Sequence, residues 1–192
     1  EVALYEYGNS RLRVQDGYVR RVVPFTIDLD KISEELFGLR TSGGDEWPGR
    51  ALKDATNQLD WGGDDADLRV AFVAGNEPFD QGPVPYAKSI ATLRGKGVFV
   101  STIFCGDQAE GEATRWRDAA VLGKGSFTCI DQSKRVAYQA APQDTEIARL
   151  GVELNATYVV YGAHGHASFA RQSAQDSNAR EMGVGSLVYR SS

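Results

Sequence analysis

The chain has 192 residues, 42% of them hydrophobic and 24% charged, with a formal net charge of −5. That is the size and balance of one globular domain with a sizeable core and room for a tail. No lysine or arginine block supplies the basic face a nucleic-acid partner needs, and no apolar run is long enough to cross a bilayer.

In chain order, VALYEY (2–7) is rich in strand formers and ends in the turn Gly8-Asn9-Ser10. YVRRVVPFT (18–26) is a second strand, close enough to the first to predict a hairpin. Pro24 assigns it to an edge, because proline cannot donate to a ladder. Asp28-Leu29-Asp30 opens a helix over KISEELFGL, with Ile32, Leu36 and Leu39 on one stripe. GRALKDATNQLDW (49–61) reads as a second amphipathic helix through Leu52, Ala55 and Leu59.

The run 68–74, LRVAFVA, is almost continuously apolar, as a strand covered on both faces should be. It leads into the loop Gly75-Asn76-Glu77-Pro78. A helix over 84–97, a second buried strand over 98–105, a helix over 112–123, a strand over 126–130 and a long helix over 143–162 follow, with Gly151 a weak point in the last. Strands alternating with helices of this length predict a mainly parallel sheet between helical layers. After Gly162 the chain turns small and polar and reads as a mobile tail or arm, with SLVYR (186–190) as a short strand. The expected division is therefore a domain over 1–162 and a polar tail over 163–192.

The stretch TSGGDEWPG (41–49) contains GGDEW, one aromatic away from the GGDEF signature of enzymes that cyclise GTP. That motif works in a tight hairpin. Here Pro48 and Gly49 follow, and proline suits the first turn of a helix. Asp45 and Glu46 are thus expected just ahead of a helix N-terminus, and the match is coincidence of a short motif without its context.

A different resemblance covers residues 2 to about 162. The stretches VALYEYGNS, VVPFTIDLDKISEELFGL, TSGGDEWPGRALKDA, LRVAFVAGNEPFDQGP and KGVFVSTIFCGD, in that order, resemble a bacterial branch of the von Willebrand factor type A (VWA) superfamily. The resemblance implies an α/β fold, a Rossmann-like three-layer αβα sandwich with a mostly parallel sheet and one antiparallel edge strand. It also implies a metal-ion-dependent adhesion site at the carboxyl edge of that sheet, where open α/β sheets bind their ligands. The ion would be hard and oxygen-ligated, Mg2+ or Ca2+.

Three loops build that site in the superfamily, and this sequence departs from each. The first, Asp-x-Ser-x-Ser, is absent. In the second, Trp47 and Pro48 stand where threonine is expected. In the third, Gly75 aligns with the aspartate. Glu46 and Glu77 are the candidate substitute metal ligands; the alternative is that they cap helices or face water. Asp45, Trp47, Asn76 and Asp107 are the candidate ligand-binding residues, with turn chemistry, dipole pairing and packing as their plainer alternatives. The absent first strand belongs between the strands at 2–7 and 68–74. Its loss would expose two rows of backbone groups. The expected filler is a separate N-terminal segment, a partner chain, or the SLVYR run.

Other motifs carry less. His164 and His166 lack a third ligand for a transition metal. Asn155-Ala156-Thr157 matches a glycosylation acceptor but falls in a predicted helix. Gly123-Lys124-Gly125-Ser126 lacks phosphate-loop spacing and leads into a strand. Cys105 and Cys129 fit neither a zinc cluster nor a dense disulfide framework and read as buried thiols, with one bridge open if their strands are neighbours.

No nucleophile elbow appears and neither histidine has a nucleophile partner in sequence. The expected function is a non-enzymatic, adhesion-type module holding a protein or cell-surface ligand, with no nucleic acid and no membrane span. The chain begins at Glu1, with no initiator methionine and no signal peptide, the pattern of a processed or truncated end. The expected setting is periplasmic or secreted. The rival readings are a Rossmann-like enzyme acting on a nucleotide or phosphate, and a metal-free VWA scaffold.

Overall fold

The computed structural model describes residues 1–192 except 41, 65, 132–137 and 192, together with all side chains in that range but those of 184 and 191. The chain is α/β and divides into two compact units: residues 1–26 with 39–135, and residues 27–38 with 136–192.

The first unit opens with β1 (Val2–Tyr7) and β2 (Val19–Thr26), an antiparallel hairpin with register shifts near Leu4. Pro24 sits in β2, whose only strand partner among the described residues is β1, the edge position that proline requires. Helix α2 (Pro48–Gln58) begins with proline in its first turn and buries Ala51, Leu52 and Thr56. Then β3 (Val70–Gly75), α3 (Tyr86–Gly95), β4 (Phe99–Phe104), α4 (Gln108–Ala113), α5 (Trp116–Leu122) and β5 (Lys124–Cys129) follow. The three later strands form a parallel sheet in the order β3-β4-β5.

One apolar cluster binds these elements: Leu52 of α2, Val73 of β3, Ile90 and Leu93 of α3, Val100 and Phe104 of β4, and Trp116 and Ala119 of α5. Trp116, Phe79, Phe104, Ile90 and Leu93 are essentially sealed from solvent. Fully burying a side chain of this size contributes about 1.5–3 kcal/mol. Helix α2 packs on the hairpin and on α3, while α5 packs on β4 and β5. The cluster therefore ties the hairpin to the parallel sheet through helices rather than through strand pairing.

The predicted helix over 112–123 is two helices. Arg115 adopts a left-handed φ of 74° between them. The break lets the Trp116 indole enter the core, where its Nε1–H donates to the Glu77 carbonyl at 2.8 Å and the Thr102 hydroxyl donates to the Trp116 carbonyl at 2.9 Å.

The second unit comprises α1 (Leu29–Gly38), α6 (Asp144–Ala156), α7 (Gly165–Met182) and α8 (Val184–Ser191). Ion pairs hold it: Arg171 with Asp28, and Arg190 with Asp176 at 2.5 Å and Asp30 at 2.9 Å. Three expectations change here. The helix predicted to reach 162 ends at Ala156, because Thr157, Tyr158, Val159 and Val160 are poor helix formers. The polar stretch expected to be a mobile tail forms α7; it lacks an apolar stripe, which is why its helix was not legible. SLVYR lies in α8 and not in a strand. A short apolar run reads equally as either, so periodicity could not separate them. It is therefore not the filler beside β3.

Candidate functional site

No described strand joins the hairpin to the parallel sheet. Among the described residues β1 pairs only with β2, and β3 only with β4. The carbonyls of Arg69, just before β3, and of Gly75, at its end, accept from the backbone N–H groups of Phe99 and Cys105 on the β4 side. A strand's backbone groups alternate in direction, so those of Val70, Phe72 and Ala74 point away from β4. Ala74 confirms the alternation: its carbonyl accepts the Tyr7 hydroxyl, from β1, at 2.7 Å. Tyr7 thus reaches β3 through its side chain and not through strand pairing. That hydrogen bond joins the carboxyl ends of β1 and β3 without pairing the two strands.

Glu46 lies across the same end. A Cβ placed on Gly8, just past β1, would meet Glu46 Cγ at 2.5 Å. One on Gly75, the last residue of β3, would meet the Tyr7 hydroxyl at 2.7 Å, Glu46 Oε2 at 2.8 Å and the Trp116 ring at 3.0 Å. Glycine is therefore required at 75 by space and not by φ. The Glu46 backbone N–H donates to Gln81 Oε1 at 3.2 Å, and Gln81 Nε2 donates to Glu77 Oε2 at 3.1 Å. Glu46 Oε2 is buried and has no hydrogen-bond partner.

The electrostatics follow from this crowding. Burial pushes the Glu46 carboxyl above the usual range, helped by the charge of Glu77 and opposed by the backbone N–H groups of Glu77 and Asn76. Burial, then the Glu46 charge, raises both the Tyr7 hydroxyl and the Cys105 thiol. Cys105 is thus a poor nucleophile, since reactivity needs thiolate. Cys129 is raised as well, by burial and then by Asp107 and Glu112. The two thiols are free. Cys129 stands opposite Phe104, so Cys105, the next residue, faces the other side of the sheet.

Of the residues singled out from sequence, Glu46 and Glu77 come together. Asn76 lies beside them with its side chain exposed, and Asp45 is exposed at the loop surface. Asp107 follows β4 at the same edge, and its carboxylate caps α4 by accepting from Ala109 N at 2.8 Å and Glu110 N at 3.4 Å. Trp47 is packed inward, edge-on to Tyr18 at 5.2 Å and against Gly82. His164 and His166 are exposed around the start of α7. The Asn155 side chain bonds Asp176 and Gln172 from within α6. Sequence reasoning missed Tyr7, Gln81 and the Gly75–Cys105 contact. The one available signal was that Tyr7, Gly75 and Cys105 all sit at strand ends.

The donor set does not by itself suit a hard cation, which takes six or more oxygens. Two carboxylates meet, the Tyr7 hydroxyl is committed to Ala74, and Cys105 offers a protonated thiol. Among the described residues no three histidine, cysteine, aspartate or glutamate side chains gather to hold a metal.

No family model matches the chain, and no curated protein matches it. Among solved structures it is similar to an aerotolerance-related membrane protein from Bacteroides fragilis carrying multiple mutations to serines. The TM-score is 0.45 at 16% identity, covering 68% of this chain and 72% of that one. A likeness at that level assigns neither family nor activity. No described helix is long and apolar enough to cross a membrane.

Proposed function

We propose that the chain is a non-enzymatic binding module of the VWA type that takes an extended segment into the slot between β1 and β3. Its protein or surface ligand is held at the adjoining carboxyl edge, among Glu46, Asn76, Glu77 and Asp107. The observation that carries the reading is the pair of open strand edges, β1 and β3, spanned by the Tyr7 hydroxyl on the Ala74 carbonyl. Unpaired edges template added strands, and main-chain bonding of this kind is a general mode of peptide capture. Val73 of β3 belongs to the core cluster, so a segment added beside β3 would turn apolar residues toward that core at alternate positions. A setting outside the cytoplasm suits an adhesion-type role.

The metal-free form of this reading is supported by the donor set. Gly75 stands where the superfamily has an acid, and any Mg2+ or Ca2+ at this edge would need oxygens brought by the arriving segment.

Amide hydrogen exchange tests the open edge. The amides of Val70 and Phe72 should exchange at least about a hundredfold faster than those of Ala71 and Val73, which point to β4. Equal protection of all four would remove the slot, and the function with it.

A further inference from the structure

The helical second unit holds a cavity of about 220 Å3, walled by α1, α6, α7 and α8 of that unit. On α7, Gln172, Asp176 and Arg180 recur every fourth residue and so line one wall. A hydrogen-bond network fixes part of the polar lining. Asp176 accepts from Arg190 Nε at 2.5 Å and from Asn155 Nδ2 at 2.6 Å. Gln172 Nε2 donates to Asn155 Oδ1 at 2.7 Å, and Arg190 reaches Asp30 Oδ1 at 2.9 Å. Three groups on the lining keep unused capacity. Among the described residues the Arg180 guanidinium has no ion-pair or hydrogen-bond partner. Gln172 Oε1 and the second oxygen of Asp30 accept nothing there either.

The lining carries two arginines and two aspartates, so its formal charge is balanced. A lone anion would meet the aspartates and a lone cation the arginines, whereas a molecule with one charge of each sign suits both. Val152, Leu154 and Leu187 complete the lining, where an apolar group gains by leaving water. Pockets for drug-sized ligands start at about 300 Å3, so this cavity takes something smaller. We infer that the second unit binds a free α-amino acid with an aliphatic side chain. Its carboxylate pairs with the Arg180 fork, its ammonium donates to Asp30 and Gln172, and its side chain lies against Leu154 and Leu187. This site does not depend on the strand edges of the first unit.

A nitrogen–proton correlation NMR titration of the 192-residue chain with L-leucine tests this. The expected result is saturable shifts at the side-chain amides of Asn155 and Gln172 and at the Arg180 guanidinium, with a Kd at or below about 1 mM. Leucinamide lacks the carboxylate, N-acetyl-leucine lacks the ammonium and glycine lacks the side chain. Each should bind at least about tenfold more weakly than leucine. R180Q should weaken leucine about tenfold and leave leucine and leucinamide nearly equal. Absence of saturable shifts by about 10 mM leucine, or shifts confined to residues outside the cavity, overturns the site. Leucinamide binding as tightly as leucine overturns the pairing with Arg180, and the inference with it. Far-UV circular dichroism checks that R180Q is folded; if it is not, the ligand series on the unaltered chain decides alone.

Discussion

The Tyr7 hydroxyl and the Ala74 carbonyl lie 67 residues apart in the chain and share a 2.7 Å hydrogen bond between strands that do not pair with each other. Tyr7→Phe removes that bond while keeping the ring. The expected loss is about 1 kcal/mol of unfolding free energy in urea at neutral pH. Burial raises the Tyr7 hydroxyl well above its ordinary value. The native chain therefore keeps a proton above pH 10 that the unfolded chain releases, and stability falls as pH climbs past 10. Tyr7→Phe should make the alkaline decline shallower than in the unaltered chain; parallel declines would remove the buried hydroxyl from the account.

Glu46 sets a second pH dependence. Its folded-state carboxyl titrates above the unfolded value of 4.5. Below 4.5 both states are protonated and burial carries no charge penalty. Between 4.5 and the raised folded value the native state holds the extra proton, so stability declines as pH rises. Glu46→Gln lacks this term. The melting temperature of the variant relative to the unaltered chain should therefore increase from pH 4 to pH 7. A constant difference across that range would contradict the assignment.

Gly75 and Gly95 make a matched pair. Alanine at 75 would press on the Tyr7 hydroxyl, Glu46 and Trp116, whereas alanine at 95, at the end of α3, meets nothing within 4 Å. Gly75→Ala should destabilise by about 1–3 kcal/mol, the usual cost of overpacking. Gly95→Ala should be neutral or stabilise by up to about 1 kcal/mol, by helix propensity. Denaturation midpoints of the two variants measure both.

Asp107 separates capping from ligand contact. Its carboxylate accepts from Ala109 N and Glu110 N at the start of α4. Asp107→Ala should cost about 1 kcal/mol and Asp107→Asn much less, since asparagine caps as well as aspartate. Thermal melts of both variants suffice.

For metal, calorimetric titration of the 192-residue chain with MgCl2 and with CaCl2 should give no saturable heat, because two carboxylates fall short of a hard cation's shell. A stoichiometric, chelator-sensitive isotherm would reverse that expectation.

Much of the fold was legible because the signals are local. Alternation and apolar runs marked each of the described strands, Pro24 marked the edge, and Pro48 marked the start of α2. The location of Glu46, Glu77 and Asp107 at one sheet edge was legible from their places after strands or before a helix. Tyr7 was not, since nothing near residue 7 encodes a contact with residue 74. Nor was α7, whose small polar residues carry no apolar period. The break at Arg115 escaped for a related reason: helix propensity runs on through it, and only the core's claim on Trp116 overrides that propensity.

The sequence by itself determined the alternation of strands and helices, the α/β class and the acidic loops, because periodicity, proline placement and turn chemistry act over a few residues. Only the tertiary structure decided that β1 and β3 do not pair with each other and that the Glu46 side chain lies against the ends of both. It also turned Trp47 inward against Tyr18. Those outcomes depend on packing between segments far apart in the chain, where space and burial at Gly75 choose what local propensity leaves open.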